Sequence, residues 1–354
     1  MHVKSQTELL YQQHQLPIFQ NRMYDTEAEA KACSVGDIYL VEDLSTGLVY
    51  NAAFHSEQMV YDSHYQNEQA VSPLFQQHLV SISQIIERCM GKAAIIEVGC
   101  GKGYFLEMLL SKGFDISGFD PTYEGQNPRV RRHYFEAGVG IQGDGLILRH
   151  VLEHIRDPFQ FLLQLKEANG GSGKIYIEVP EFNWICEHRS WFDIFYEHVN
   201  YFRISDFHRM FGTIIDSGHV FGNQYLYVVA ELATLRKPTI DMDDRVSMPV
   251  DFARSMSLQS AGANHAAIWG GASKGVIYSL LMSRNGKVIN TVIDINPAKQ
   301  GKYLPLTGLL VEAPATGLAK LPEGSLIYVM NSNYLDEIRR MSNNRFSYIT
   351  VDSN

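Results

Sequence analysis

The chain lacks most of the features that assign a protein quickly. It has four cysteines, Cys33, Cys89, Cys100 and Cys186, and no two form a C-x-x-C pair. Neither a disulfide framework nor a zinc ribbon is therefore implied. No apolar run is long enough to span a membrane, and the first residues lack the basic-then-apolar pattern of a signal peptide. The expected compartment is a reducing cytoplasm, with no membrane partner. Positive charge is not in excess either. A net charge of -9 argues against nucleic acid as the main partner, while leaving room for a local basic pocket. There is no Walker A loop, no short-period repeat and no low-complexity tract. What is present is a globular composition, 45% hydrophobic over 354 residues. That is enough chain for two or three domains and a sizeable core.

One stretch organises the rest. Ala93 to Ile96 is an apolar run that suits a strand covered on both faces. It leads through Glu97 into Gly99, Gly101 and Gly103, where the backbone can turn sharply and lie close to a ligand. A second apolar strand, Ile116 to Phe119, ends at Asp120, placed to accept hydrogen bonds from a ribose. The glycine spacing does not fit the G-x-G-x-x-G of a pyrophosphate turn. A carboxylate two residues before the first glycine suits a cationic methionine portion instead. The turn therefore fits S-adenosylmethionine (SAM), the alternative being a tight strand-to-helix turn with no ligand.

Around this stretch the pattern alternates. Strands are expected at 93–98, 115–119, 145–149, 174–179 and 225–231, with helices at about 103–112, 158–168 and 205–213. Alternation of this kind predicts a doubly wound sheet, whose ligands sit at the carboxyl ends of the strands. Upstream, Gly36–Asp43 and Leu48–Tyr50 read as a small β-unit. The polar and aromatic stretch from Tyr61 through Tyr65 to Gln69 then precedes a helix from about Ser72 to Met90. That stretch suits a lid over the glycine turn, or an ordinary loop leading into a helix capped near Ser72. Downstream comes a linker from Ala233 to about Val250, and a helix over about 250–263. A second strand, glycine turn and helix follow at Ala266 to Val276. Further strands at Val288–Asp294 and Ser325–Val329 complete a smaller α/β domain. The expected organisation is residues 1–80 as a small N-terminal α+β lid or substrate segment, 81–235 as the cofactor domain, and 250–354 as a substrate domain.

The densest cluster of reactive groups is Trp191 to Phe202. Within it Tyr196, Glu197 and His198 are adjacent and Tyr201 follows. A histidine can take or deliver a proton near neutral pH, and the neighbouring groups can orient it or hold substrate hydroxyls. The alternative is a buried aromatic segment satisfied locally. Glu153 and His154 invite a metal reading, but no further ligand stands at a metalloprotease spacing, so no metal is expected. His150 is placed near the cofactor. In the second domain Ser273 and Lys274 open a helix whose N–H groups favour an anion. Lys299, Lys302 and Tyr303 follow the next strand. These five form a candidate phosphate or diphosphate site.

Taken together the chain resembles the bacterial sugar C-methyltransferase family. The matching stretches are Glu97 to Gly103, Arg149 to Ile155, Tyr196-Glu197-His198 with Tyr201-Phe202, Trp269 to Gly275, Asp294 to Gly301 and Asn331 to Ile338. The resemblance implies a Rossmann-like class I methyltransferase domain followed by a smaller Rossmann-like C-terminal domain. It implies methyl transfer from SAM, yielding S-adenosylhomocysteine, to carbon 3 of a nucleotide-linked 4-keto-deoxysugar. His198 would remove the proton alpha to the ketone, and Tyr196 and Glu197 would hold the sugar. It also implies that the stretch from Tyr61 to Ser72 closes over the cofactor, with Tyr65 among its contacts.

One departure stands out. Members of the family usually carry an N-terminal zinc site of paired cysteines. Here Leu16-Pro17-Ile18 and Asp43 to Gly47 stand in those places, and Cys33 alone cannot build a four-ligand site. No zinc is expected, and methylation of oxygen or nitrogen on another natural-product intermediate stays open. So does a non-catalytic binding protein built on the same core.

Overall fold

The computed structural model describes residues 6–59, 64–254 and 266–353. The helix expected over about 250–263 falls largely outside them, as does the beginning of the lid stretch, 61–63.

The N-terminal strands are β1 (Thr7–Pro17), β2 (Val35–Asp43) and β3 (Val49–Asn51), with the short helix α1 (Glu27–Lys31) between the first two. They form an antiparallel sheet, and its fourth strand comes from far along the chain: β3 pairs with Asn200–Tyr201. Leu16, Ile38, Leu40 and Val49 join the aromatic segment at 182–201 in one core with Ile268, Val276 and Tyr278 of the C-terminal part. The expected lid segment is thus a packed four-stranded sheet tied to both halves of the molecule. Its trailing stretch, Tyr65 to Ser72, reaches the cleft described below, as do Asn21 and, on the helix that follows, Phe75 and Leu79.

Helix α2 (Pro73–Met90) begins at Ser72, whose hydroxyl accepts from the Phe75 N–H and donates to Glu337 at 2.9 Å. It covers the central sheet. There β4 (Ile95–Val98), α3 (Tyr104–Ser111), β5 (Ile116–Phe119), β6 (Val130–Arg131), β7 (Gly145–Arg149), α4 (Pro158–Ala168) and β8 (Lys174–Pro180) follow in order. After the short helix α5 (Phe182–Glu187) come β9 (Asn200–Tyr201) and α6 (Ile204–Met210). The hairpin of β10 (Ile214–Val220) and β11 (Tyr225–Glu231) then adds two antiparallel strands beside β8. The seven strands lie in the order β10-β11-β8-β7-β4-β5-β6. The strands β4 to β8 are parallel to one another, and every residue of β4 is buried, as a strand covered by helices on both faces must be. The expected helix over 205–213 stops at Met210, and an edge strand takes its place from Ile214.

The C-terminal part repeats the plan. Strand β12 (Ala266–Trp269), helix α7 (Ser273–Arg284), β13 (Thr291–Ile293), β14 (Val311–Glu312), α8 (Pro314–Lys320), β15 (Leu326–Val329), α9 (Leu335–Met341) and β16 (Ser347–Thr350) form an all-parallel sheet. Its order is β14-β13-β12-β15-β16. In each parallel array the strand order reverses beside the strand that carries the glycine turn, β4 or β12. Such reversals open a crevice at the carboxyl ends of the strands.

Candidate active site

The two crevices face each other across one cleft of about 370 Å³. The central sheet contributes Glu97 and Gly99 to Lys102 after β4, and Arg149, His150, Glu153 and His154 after β7. The C-terminal sheet contributes the stretch around Gly270 to Gly275 after β12, Asp294 to Asn296 with Lys299 after β13, and Met330 and Asn331 after β15. Asp193 and His198 close one wall, and Tyr65 and the stretch from Asn67 to Ser72 line another.

Gly99, Gly101 and Gly103 all have positive φ, at 72°, 54° and 81°, a region that side chains rarely adopt. A Cβ on Gly99 would also stand 2.5 Å from the Val151 side chain. Asp120 pins this turn: its Oδ2 accepts from the Gly101 N–H at 2.8 Å and its Oδ1 from the Thr122 N–H at 2.8 Å. It does not line the cleft, so the expected ribose ligand is, in this structure, the group that shapes the loop. Glu97 is 3% exposed and its Oε2 has no hydrogen-bond partner. Burial pushes its carboxyl up to about 8, with Asp120 adding to the effect and the Arg149 guanidinium opposing it.

Behind Glu97 lies a buried ionic hub. Glu178 accepts from His78 Nε2 (3.1 Å), Arg149 (3.2 Å), His150 Nε2 (3.1 Å) and the Tyr176 hydroxyl (2.7 Å). Burial would raise its carboxyl, but Arg149, His150 and His78 together hold it well below the usual range. Arg149 also lies over the Phe105 ring, 4.6 Å from its centroid. His150 has φ of +50° and stands between Glu178 and Glu153. Burial pulls its pKa down, yet the hydrogen bonds to the two carboxylates win and raise it to about 9. This hub escaped sequence reading, although Arg149 and Glu178 are register partners at the ends of neighbouring strands. A charged residue closing each of two apolar strands was the available signal.

The Tyr-Glu-His cluster divides. His198 lines the cleft. Burial, then His154, His150 and Lys274, hold its pKa well below the ordinary value, so the ring is neutral at physiological pH. Tyr196 and Glu197 are fully buried and turned away. The Tyr196 hydroxyl accepts from the His55 N–H at 2.9 Å, and its ring packs on Gly36 and Phe54. Glu197 accepts from the N–H groups of Gln20 and Asn21 and from the Tyr65 hydroxyl (2.9 Å). The expectation that both hold a sugar does not fit this placement. They fasten the N-terminal sheet to the segment that carries His198. Tyr201 does not line the cleft either: it is 2% exposed, and its hydroxyl is bound to the Phe195 backbone.

Of the five candidate anion ligands, three line the cleft and two do not. Ser273 Oγ accepts from Asn21 Nδ2 at 2.8 Å. Lys274 Nζ is 3.0 Å from Asp193 Oδ2 and lies against Trp184 and Phe192. Lys299 is 4% exposed and 3.8 Å from Asp294. Lys302 instead pairs with Asp25, and the Tyr303 backbone is hydrogen-bonded to that of Tyr24; neither residue lines the cleft. Gly275 has a packing role, since a Cβ there would fall 1.8 Å from the Gly270 carbonyl oxygen.

With this geometry in view, residues 64–213 match the family model of a methyltransferase domain. No curated protein matches the chain. Among solved structures, the chain is similar to the 1,6-didemethyltoxoflavin-N1-methyltransferase of Burkholderia thailandensis, with bound 1,6-didemethyltoxoflavin and S-adenosylhomocysteine. The two are 17% identical over 51% of this chain and 84% of that one, with a TM-score of 0.34. A SAM-dependent methyltransferase from Archaeoglobus fulgidus is 16% identical over 45% of this chain and 100% of its own, at 0.34. The N-methyltransferase NodS from Bradyrhizobium japonicum is 14% identical over 45% and 97%, at 0.33. The central sheet with its glycine turn is a methyltransferase domain, and the chain is a methyltransferase.

Proposed function

We propose that this methyltransferase uses SAM and methylates an enolisable carbon, alpha to the ketone of a nucleotide-linked keto-deoxysugar. The observation that carries the donor half is Glu97. A carboxylate oxygen with no partner, buried at the mouth of a turn stripped of Cβ atoms, fits a cationic ligand that approaches the backbone closely. Tyr104, Phe105 and His150 line the same region. When bound, SAM supplies an electrophilic methyl group carried on a sulfonium.

The chain's own residues do the rest. Glu97, once ionised, offsets the cofactor's positive charge. His198, neutral and with no hydrogen-bond partner for its ring among the described residues, accepts the proton from the acceptor's α-carbon. The C–H electron pair stays on carbon as the nucleophile. General-base catalysis of this kind contributes roughly 10²–10⁴-fold. Ser273, Lys274 and Lys299 around the second turn are the proposed side for the acceptor's phosphates. The keto-sugar rests on the motif resemblance together with His198's place in the cleft.

The test is isotopic. With a keto-sugar nucleotide and S-adenosylhomocysteine in D2O, the wild-type protein is expected to wash deuterium into the α-position, and His198→Ala to lose both wash-in and turnover by at least about 100-fold. Turnover on a hydroxyl or amine without wash-in would replace the carbon reading by oxygen or nitrogen methylation. Full turnover in His198→Ala would remove the base.

A further inference from the structure

Three donor side chains from two separate segments meet on one wall of the cleft. Glu153 and His154 belong to the 3-10 turn Leu152–His154 after β7, and His198 to the segment between α5 and β9. Backbone contacts hold the segments together: the Val199 N–H donates to the Glu153 carbonyl at 2.8 Å, and His154 Nδ1 lies 2.8 Å from the Glu197 carbonyl. One ligand atom from each of the three lies within 4.8 Å of the other two. Spacing along the chain set a metal aside for want of a third ligand, and the fold supplies one.

Each of the three has an uncommitted donor. Glu153 is 1% exposed, lines the cleft, and its Oε2 has no hydrogen-bond partner. Its Oε1 is 3.3 Å from His150 Nδ1, and His150 is anchored in turn by Glu178. A carbonyl can only accept, so His154 Nδ1 carries the hydrogen, and Nε2 is the ring atom available to ligate. Among the described residues the His198 ring has no hydrogen-bond partner; its neighbours are the rings of Phe195, His154 and Tyr201. Outer partners that fix a ligating imidazole and carboxylate in this way are characteristic of metal centres.

The geometry points to a binding site for one divalent transition cation of the zinc class, held by Glu153, His154 and His198 with its remaining position open to the cleft. Two imidazoles and one carboxylate favour such ions over magnesium or calcium. At bond lengths of about 2.1 Å, tetrahedral ligand atoms stand roughly 3.4 Å apart, so binding draws the three side chains together by rotation. The inference adds to the proposed function and rests on its reading of the cleft. A cation here occupies the His198 lone pair that proton abstraction needs, so zinc is expected to inhibit carbon methylation.

The experiment uses full-length protein stripped with a chelator. Zn²⁺ is titrated calorimetrically, and Co²⁺ is followed by its visible spectrum. One Zn²⁺ per chain, at micromolar affinity or tighter, is expected. His154→Ala and Glu153→Gln, each checked for native circular dichroism, should weaken it by at least about 100-fold, beyond the 10–100-fold typical of losing an outer partner. Glu153→Gln keeps the side chain's shape and serves if the alanine variant fails to fold. Absence of a saturable one-to-one site below about 100 μM, or unchanged affinity in either folded variant, overturns the site. SAM binding is titrated separately. Intact zinc binding without SAM binding would count against the proposed function alone, and the reverse result against the metal site alone.

Discussion

The two parallel arrays end in turns made from the same parts. In the first, Gly101 and Thr122 donate to the two oxygens of Asp120, each at 2.8 Å. In the second, Gly271 and Asn296 donate to the two oxygens of Asp294, each at 2.8 Å. An aspartate closing the neighbouring strand thus pins each glycine turn. The differences lie in charge and space. Two residues before its first glycine the central sheet has Glu97, with an oxygen free; the C-terminal sheet has Ile268, packed in the core. The lysines at the second turn already face carboxylates, Lys274 with Asp193 and Lys299 with Asp294. A Cβ on Gly101 would meet nothing within 4 Å, whereas one on Gly275 would collide with the Gly270 carbonyl. One backbone device is left open beside a buried carboxyl group with an oxygen to spare; the other is closed against its own helix with its cations engaged. The shared fold builds the turn, and side chains decide what it receives.

The largest expected effect separates the turns by stability. Gly275→Ala has to push α7 off the Gly270 carbonyl and should cost about 3 kcal/mol or more. Gly101→Ala meets open space and only the left-handed backbone penalty of roughly 1–2 kcal/mol. Chemical denaturation of both variants measures this. The contrast breaks if Gly275→Ala is the milder of the two. Gly101→Ala should stay folded and lose SAM affinity, because its new methyl stands where the backbone is bare.

The same contrast between exposed and enclosed elements explains how much could be read from sequence. Every interior strand of the three sheets was legible, from β2 and β3 through β4, β5, β7, β8 and β11 to β12, β13 and β15. The unread strands, β1, β6, β9, β10, β14 and β16, are all edges. An edge strand has a pairing partner on one side only, and these are either mostly polar and exposed or too short to carry a periodic apolar signal. β10, Ile-Ile-Asp-Ser-Gly-His-Val, has no buried residue. β9 is two residues long and buried, but only its pairing with β3 makes it a strand. The site divides similarly. Glu97, the glycines, His150, His198, Ser273, Lys274 and Lys299 sit at strand ends or on a cleft wall, where topology places ligands. Tyr196, Glu197, Tyr201, Lys302 and Tyr303 lie within four residues of cleft residues in sequence yet do not line the cleft. Adjacency along a chain says nothing about direction once the segment leaves regular structure. Asp193 and the Glu178 hub went unread because their partners come from other elements.

A second prediction sharpens the charge contrast. Glu97 is raised from the ordinary 4.5 to about 8 by burial. In the ligand-free protein its neutral form is favoured, so the stability it contributes is present below the ordinary carboxylate range and is lost as pH rises through about 8. Cation binding runs the other way, because it needs the ionised form. SAM affinity should therefore fall by up to about fifty-fold from pH 8 to pH 6, with proton uptake from buffer on release. Glu97→Gln should bind weakly at both values and lose the pH dependence. Calorimetry in buffers of different ionisation enthalpy measures both. A flat wild-type profile would mean that the free oxygen does not meet the cofactor's charge.

The smallest effect probes the second turn. Lys274 Nζ is 3.0 Å from Asp193 and 3.4 Å from Gln224 Oε1, with Trp184 and Phe192 against it. Burial raises the Asp193 carboxyl and Lys274 opposes that rise, so the two share one charge balance. An incoming phosphate must compete with Asp193 for the ammonium. Asp193→Asn removes the competitor and leaves the aromatic walls and Gln224 to hold the lysine in place. Inorganic pyrophosphate should then bind several-fold tighter, equivalent to about 1 kcal/mol, with a steeper loss between low and moderate salt. The effect is small because Lys299 and its carboxylate remain as they were. If pyrophosphate affinity is unchanged in Asp193→Asn while the variant melts as the wild type does, Lys274 is a structural cation. The second turn would then support α7 without receiving an anion, and the acceptor's charged end would have to be sought on the Tyr65 to Ser72 wall of the cleft.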